Sequence, residues 1–322
     1  MALDPLAAAI AAAADEAVPI VFKARDFVPG RYVLVDGDYL VYTTCGNDET
    51  PIGDARVRLM QKLDDFKQMA GAEFVIVHLT ATGSHKGWRY VIATQTPYQG
   101  QREGSRRPKN WEQLRDFVES YSGPAFRQKI WGTREADDGI NLHQSLLPYG
   151  KAVVAMKDKD SQMFTGCIHM DWDTFELTEV PKHTYEMENS VGRLFGTKWF
   201  WLQLLMGDSA DRIPGLPKIL SHTGKTVDCG PTRALDALCM SHDDSGALDI
   251  VCKHYAFFYK ETWAERLVEQ MGLLWMRGDQ HAAVDDFMSI IPPDHKYWEH
   301  LRVAADHLLK RVKEVRDATP DY

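Results

Sequence analysis

Two short apolar runs each end in a pair of acidic residues, and this feature constrains the fold more than any other. Residues 32–35 lead into Asp36-Gly37-Asp38, and residues 153–156 lead into Asp158-Lys159-Asp160. Such runs are typical of buried strands. Open α/β sheets bind ligands at the carboxyl ends of their strands. The sequence therefore predicts that acidic side chains from separate strands meet in one crevice.

Strand-like and helix-like segments alternate through the first half of the chain. This alternation predicts an α/β fold with a mostly parallel sheet and flanking crossover helices. The chain becomes helical after about residue 190, so we expect one part at 1–190, with a long loop at about 80–120, and a helical part at 191–322. Helices are expected near 54–70, 111–121 and 135–147, and further strands near 74–77 and 126–131.

Composition excludes several classes of protein. The net charge of −9 argues against a histone-like DNA binder, although a local basic patch is still compatible with nucleic acid. The five cysteines form no CxxC pair, which argues against a zinc knuckle or a disulfide framework and favours a reducing cytoplasm. No run of about 18 apolar residues occurs, so we expect no membrane partner. The expected state is a monomer.

Four acidic clusters could supply ligands for metal ions. Magnesium prefers oxygen ligands, and a pair of such ions can activate water and stabilise the leaving oxygen in phosphodiester hydrolysis. Each cluster alone also has a structural explanation as a turn, a helix cap or a partner of a helix dipole. The four together favour a metal centre. They are Asp36 with Asp38, Glu135 with Asp137 and Asp138, Asp158 with Asp160, and Asp208 with Asp211.

The segment from His85 to Lys109 is basic, although the chain as a whole is acidic. It contains six Lys and Arg residues against the single acidic Glu103. Cations interleaved with aromatic residues suit single-stranded nucleic acid, because the cations meet phosphates and the rings stack on bases. A solvated charged loop is the alternative. The candidate DNA-binding residues here are Lys86, Arg89, Arg106 and Arg107.

The ordered clusters, together with Gly207-Asp208-Ser209-Ala210-Asp211-Arg212-Ile213-Pro214-Gly215-Leu216, resemble the motifs of the 5′→3′ exonuclease and flap endonuclease family. The phage-encoded members are the most similar, and the resemblance covers about residues 31–240. It implies a PIN-like nuclease core that uses two Mg²⁺ ions, replaceable by Mn²⁺, to cut DNA near 5′ ends in replication or recombination. The implied substrates are 5′ ends, flaps and single-strand/duplex junctions, with RNA–DNA hybrids as a further class. For a phage protein, the location would be the host cytoplasm.

The resemblance also implies roles for individual residues. Asp36, Glu135 and Asp137 correspond to ligands of the first metal ion, and Asp158, Asp160 and Asp211 to ligands of the second. Asp138 and Asp208 correspond to nearby members of the cluster. In the arch, Tyr98 corresponds to a residue that stacks on the terminal base and Arg102 to one that holds the scissile phosphate.

Two positions depart from the family pattern. Gln99 stands where the family has Lys, and Arg106, Arg107 or Lys109 could replace that cation, with Lys109 included among the candidate catalytic residues. The family also has an Asp after its second strand, where this chain has no acid and Gly83 is the best match.

Residues at about 207–240 resemble the family's helix-turn-turn-helix, which binds duplex DNA away from the cut. The implied phosphate contacts are Gly215, Lys218, Gly230, Thr232 and Arg233, and a potassium ion at this motif is a further implication. Residues 220–229 look like an insertion. Two other hypotheses stay open: a catalytically weak module of the same fold that binds branched or single-stranded DNA, and a ribonuclease of a related carboxylate-cluster fold.

Overall fold

A computed structural model describes residues 24–100, 104, 106–221 and 223–319, and a six-stranded sheet lies at its centre. The strands are β1 (Tyr32–Asp36), β2 (Phe74–Thr80), β3 (Arg127–Trp131), β4 (Ala152–Ala155), β5 (Cys167–Met170) and β6 (Leu177–Val180). Their order is β3-β2-β1-β4-β5-β6, and every neighbouring pair is parallel except β5 with β6. The predicted α/β class with a mostly parallel sheet is confirmed.

Helices cover both faces of the sheet. They are α1 (Gly37–Thr44), α2 (Ile52–Ala70), α3 (Arg89–Ile92), α4 (Trp111–Ser120), α5 (Ala136–Leu146), α6 (Lys198–Met206), α7 (Pro231–Ala237), α8 (Asp244–Tyr259), α9 (Trp263–Leu274) and α10 (Trp298–Ala318). Successive residues of a strand point to opposite faces. Val33 and Val35 accordingly pack with Phe66 of α2, whereas Leu34 packs in a second cluster with Trp201 of α6.

The second cluster joins the sheet to the helical half of the chain. It contains Leu34 and Val154 from the sheet together with Trp201, Tyr255 and Leu308 from α6, α8 and α10. The division placed near residue 190 is therefore a change in sequence character, and the buried core runs across it.

Two small hairpins that the sequence did not predict lie between residues 187 and 228. One joins β7 (Met187–Glu188) to β8 (Leu194–Phe195), and the other joins β9 (Lys218–Leu220) to β10 (Thr226–Asp228). The second hairpin separates α6 from α7, so the segment at about 207–240 contains a loop, a hairpin and one short helix. The expectation of two helices within 207–240 is wrong, and the segment interpreted as an insertion forms most of the hairpin.

The structure bears on two further expectations, that the chain has no membrane span and that its cysteines form no disulfide framework. Among the described residues, no helix combines the length and the apolar character needed to span a bilayer. The five cysteines are all unpaired.

A glycine fixes the junction between β1 and α1, which positions the first acidic pair. Asp36 caps α1, its carboxylate accepting a hydrogen bond from the Tyr39 backbone N–H at 3.1 Å. A Cβ atom on Gly37 would lie 2.5 Å from the carbonyl oxygen of His78 on β2 and equally close to the Val77 side chain. Only glycine lets the helix start this close to the neighbouring strand.

We therefore expect Gly37→Ala to lower the free energy of unfolding by about 1–3 kcal/mol, because the methyl group must displace β2 backbone. Gly53→Ala is the matched control, since a Cβ atom at that helical position meets nothing within 4 Å. The control should be unchanged or stabilised by up to about 1 kcal/mol. Urea unfolding followed by circular dichroism measures both, and equal stability of the two variants would contradict this account of Gly37.

Candidate functional site

Carboxylates from four elements meet at the carboxyl edge of the parallel strands. Asp36 ends β1, Asp158 follows β4, Glu135 precedes α5, and Asp208 follows α6. The groups are electrostatic neighbours, since Asp158 acts on the carboxyls of Asp36, Asp137 and Asp160. The acids predicted at the strand ends therefore lie near one another along one edge of the sheet.

Tyr98 connects Asp211 to the other carboxylates at the edge of the sheet. Its hydroxyl oxygen lies 2.8 Å from Glu135 Oε2 and 3.0 Å from Asp211 Oδ2, so the hydroxyl proton can be donated to either carboxylate. The Tyr98 ring is only 5% exposed and packs in the core, with Tyr90 against it edge to face. The prediction that Tyr98 stacks on a DNA base is therefore wrong for this conformation, because no face of the ring is accessible.

Burial and mutual repulsion keep several of these carboxyl groups from ionising at their usual pH. Burial, with Asp38 and Asp158 nearby, raises the pKa of Asp36 to about 7. Burial, with Asp158 and Asp208 nearby, raises the pKa of Asp160 to about 8. Burial and the charges of Asp138 and Glu135 raise the pKa of Asp137 well above its usual range. A site with this much unbalanced negative charge favours a cation.

A buried ion pair accounts for Arg89 and Asp138. The Arg89 guanidinium contacts the Asp138 carboxylate at 2.7 and 2.9 Å and Glu135 Oε2 at 3.1 Å. Arg89 is 1% exposed and Asp138 is fully buried. The DNA-binding role predicted for Arg89 is wrong in this structure, because its guanidinium is buried against carboxylates. Asp138 lies beside Asp137 and Glu135, and its place in the metal cluster stays a prediction. Burial alone would raise the pKa of Asp138, but Arg89 lowers it below its usual value.

A C-terminal strap, defined here as residues 273–282, holds this ion pair from the other side. The carbonyl oxygens of Leu273 and Trp275 accept hydrogen bonds from Arg89, and the Arg277 backbone N–H donates to Asp138 at 2.9 Å. Arg134, next to Glu135, donates to the carbonyl oxygens of Asp279 and Gln280 at 2.8 Å. Burial, with Arg89 nearby, lowers the pKa of Arg277 to about 10. No sequence motif marks the strap.

Lys86 supplies a cation beside Glu135. Its Nζ lies 2.6 Å from Gln99 Oε1 and 3.4 Å from Glu135 Oε1. Gln99 has a φ of +53° and Lys86 a φ of +48°, backbone conformations that non-glycine residues rarely adopt and that concentrate at functional sites. The Gln99 amide and the Lys86 ammonium group thus both contact Glu135. The family has a lysine at the position of Gln99, and in this chain the cation beside Glu135 is Lys86.

The second half of the site contains two residues that sequence reasoning missed. Lys159 Nζ lies 2.7 Å from Asp208 Oδ2 and 3.2 Å from Asp160 Oδ1, and Gln203 Nε2 lies 2.5 Å from Asp160 Oδ1. Burial alone would lower the pKa of Lys159, but Asp160 and Asp208 raise it. Lys159 could have been found from its place inside the Asp-x-Asp motif, whereas Gln203 lies in an apolar helix with no such sign.

Asp38 and Gly83 have structural roles on either side of the end of β2. Asp38 accepts hydrogen bonds from the Thr80 backbone N–H at 3.1 Å and from Arg115 at 2.5 Å, which joins α1 to β2 and α4. Gly83 has a φ of +79°, a conformation that favours glycine and accounts for the residue without reference to a metal.

Three cations of the arch, Arg106, Arg107 and Lys109, are exposed. Arg106 contacts Asp48 at 2.5 Å, Lys109 Nζ lies 3.3 Å from the Asp48 carbonyl oxygen, and Arg107 stacks over Trp111 at 3.9 Å. Their DNA contacts and the catalytic role of Lys109 stay predictions. Arg102 lies outside the described residues.

The segment expected to bind duplex DNA is exposed in part. Lys218, Thr232 and Arg233 are exposed and Gly230 is half-buried, so their phosphate contacts stay predictions. Gly215 is buried, and its backbone N–H donates to Gln270 Oε1 at 2.8 Å. The phosphate contact predicted for Gly215 is therefore wrong, since that N–H is already engaged.

The donor set fits a hard divalent cation, because the converging groups are carboxylate oxygens. Within the described part of the chain, no three Asp, Glu, His or Cys side chains are arranged around a common centre. Glu135, Asp160 and Asp208 instead contact lysine ammonium groups.

Comparison with known proteins identifies the fold. No protein-family model and no curated protein matches the sequence. The bacteriophage T5 D15 flap endonuclease, solved as a variant in a pseudo-enzyme–product complex with DNA and metal ions, gives a TM-score of 0.52 at 15% identity, over 88% of this chain and 99% of that chain. The T5 D15 protein co-crystallised with metal ions and a T5 5′-exonuclease mutant give TM-scores of 0.48 and 0.46 at 16% identity, over 89% of this chain and 98% of theirs. The first likeness shows that the fold is shared.

The raised pKa of Asp36 predicts a pH-dependent stability in metal-free protein. A carboxyl group whose pKa rises on folding stabilises the fold below its unfolded pKa, and this contribution is lost as the pH rises through about 7. Asp36→Asn keeps an acceptor for the Tyr39 N–H and removes the charge. In a chelator, the variant should therefore melt roughly 1–3 °C above the wild type at pH 8 and nearer to it at pH 5.

The control for this prediction is Asp173→Asn, at an exposed residue paired with Lys157. Melting curves at both pH values test the account. An Asp36→Asn variant that is equally destabilised at pH 5 and pH 8 would contradict it.

Proposed function

We propose that this chain is a metal-dependent nuclease of the 5′→3′ exonuclease and flap endonuclease type. The observation that carries the proposal is the convergence of Asp36, Glu135, Asp137, Asp158 and Asp160 at the carboxyl edge of the sheet, in the order of the family's motifs. The shared fold supports it independently. The proposed substrate is DNA with a 5′ end, a flap or a single-strand/duplex junction, and the proposed reaction is hydrolysis of a phosphodiester near that end.

The proposed ligands of the divalent cations are Asp36, Glu135 and Asp137 on one side and Asp158, Asp160, Asp208 and Asp211 on the other, with Asp138 as a nearby member of the cluster. Bound Mg²⁺, or Mn²⁺ in its place, would supply Lewis-acid chemistry for phosphodiester hydrolysis. The raised pKa values of Asp36 and Asp160 support a role in binding cations, because such groups gain most from a nearby positive charge.

The cations of the chain have separate proposed tasks. Lys86 is 23% exposed beside Glu135, so it can reach a phosphate at the site while staying near the carboxylates. Arg106, Arg107 and Lys109 are exposed along the arch and would bind the strand backbone. Lys218, Thr232 and Arg233 are exposed on the opposite half of the chain and would bind the duplex.

A catalytically weak DNA-binding module is the second candidate. Two observations favour it: Gln99 occupies the position of an arch lysine, and no acid follows β2. Incubation of a 5′-labelled flap substrate with Mg²⁺, and then with excess chelator, separates the two candidates. Chelator-sensitive release of short 5′ fragments supports the nuclease, and tight binding without cleavage supports the module.

The first prediction from this function concerns Asp158, an exposed member of the cluster. Asp158→Asn should lower the cleavage rate by roughly 100-fold or more and leave DNA affinity measurable, because it removes charge that positions the cations. Asp173→Asn, at another exposed Asp beyond β5, is the matched control and should cleave normally. Single-turnover cleavage and a binding titration in Ca²⁺ measure the two effects, and near-normal cleavage by folded Asp158→Asn would rule out the assignment.

The second prediction compares two arginines of the arch. Arg102→Ala should slow cleavage more than it weakens binding, because a contact with the scissile phosphate tightens in the transition state. Arg106→Ala should mainly weaken DNA binding and reduce its salt dependence, as expected for an exposed side chain that contacts DNA phosphates. Cleavage rates and binding at several salt concentrations distinguish them. Similar losses of binding alone in both variants would make Arg102 an ordinary phosphate contact.

A further inference from the structure

Lys159 places a positive charge on two carboxylates that are proposed metal ligands. Its ammonium nitrogen lies 2.7 Å from Asp208 Oδ2 and 3.2 Å from Asp160 Oδ1. Asp208 and Asp160 are 3% and 4% exposed. A buried carboxyl group stays ionised only with a cation nearby, because an unpaired buried charge is strongly destabilising. In this structure, Lys159 provides that cation.

The lysine can leave without disturbing the core. Its side chain is 40% exposed, and lysine carries a strongly hydrated charge on a flexible four-carbon stem. Arg89 is the opposite case, since it is 1% exposed and bound by two carboxylates and two carbonyl groups. Arg89 is therefore a fixed cation of the site, whereas Lys159 can be displaced.

Gln203 provides an independent observation next to Lys159, a buried amide oxygen that accepts no hydrogen bond within the described part of the chain. The residue is fully buried, and its Nε2 donates to Asp160 Oδ1 at 2.5 Å. Its Oε1, in the same amide, has no hydrogen-bond partner among the described residues. A buried acceptor without a donor costs free energy, so a water molecule carried by a cation at Asp160 would satisfy it.

We propose that Lys159 is an internal counter-ion that competes with a divalent cation for Asp160 and Asp208. In metal-free protein its ammonium group offsets the repulsion between the two carboxylates. When the cation binds, the lysine moves to solvent and its charge becomes free to meet a phosphate. This inference rests on the proposed function, because it concerns the metal ligands of that site.

A titration of metal binding without DNA tests the competition. Mn²⁺ binding, followed by electron paramagnetic resonance of the free ion, should be roughly tenfold tighter at the weaker site of Lys159→Met, because a charge within contact distance has gone. Lys159→Met should also melt at a lower temperature without metal and gain more from Mn²⁺ than the wild type does. Lys159→Arg retains a cation and should stay close to the wild-type affinity.

Lys157→Met is the matched control, because Lys157 lies two residues earlier and its ammonium group pairs with exposed Asp173. It should bind Mn²⁺ like the wild type. Unchanged affinity at the weaker site of folded Lys159→Met would overturn the inference and leave the proposed function intact. Absence of Mn²⁺ binding by the wild type would overturn both.

A second measurement on the wild type does not depend on a stable variant. Acetylation of lysines by an excess of an acylating reagent, read by mass spectrometry, should modify Lys159 several-fold faster with saturating Mg²⁺ than with a chelator. Lys157, with its exposed partner, should react equally under both conditions. Equal modification of Lys159 in both conditions would overturn the inference.

Discussion

The buried ion pair between Arg89 and Asp138 is the constraint on which the rest of the site depends. Breaking such a pair by removing one partner costs about 3–5 kcal/mol, because it leaves an uncompensated charge in the interior. Its members come from α3 and α5, and the carbonyl groups that complete it come from the strap at 273–282. Satisfying this one pair fixes the start of α5, and with it the positions of Glu135 and Asp137.

The charges around the carboxylates are arranged in two ways. Arg89 and Arg277 are enclosed, and they balance Asp138 permanently. Lys86 and Lys159 are partly exposed, and they balance Glu135, Asp160 and Asp208 from the solvent side. The buried part of the site is therefore neutralised by fixed arginines. The solvent-facing part keeps negative charge that exchangeable cations can balance.

Much of the fold could be predicted from sequence because its signals are local. The apolar runs of β1 and β4 and the acids that follow them are adjacent in the chain, and parallel pairing then brings the acids together. The partners of those acids could not be predicted in the same way. Arg89 lies in a basic segment in which Lys86 is partly buried and Arg106 and Arg107 are exposed, and nothing in its local sequence distinguishes a buried arginine. Its burial follows from long-range contacts with residues 273 and 275.

Two other errors have the same origin. Tyr98 fits the pattern of an aromatic residue in a basic loop, yet its ring is buried and its hydroxyl contacts Glu135 and Asp211. Gly215 fits a phosphate-binding turn, but Gln270 of α9 takes its N–H. In each case a residue distant in sequence forms a hydrogen bond with the group that was expected to contact DNA or its neighbour. Such tertiary contacts are not encoded in a local motif.

The strap has a consequence for how the protein is made. Arg89, Arg134 and Asp138 all bond to residues 273–280, so a nascent chain has synthesised its whole sheet and every proposed ligand before these partners exist. Until then, the segment that begins α5 lacks the contacts that orient it. Assembly of the carboxylate cluster is thereby tied to the synthesis of residues 273–280, and a ribosome-bound fragment that ends before residue 273 contains the acids without the contacts that hold Arg89 and Asp138.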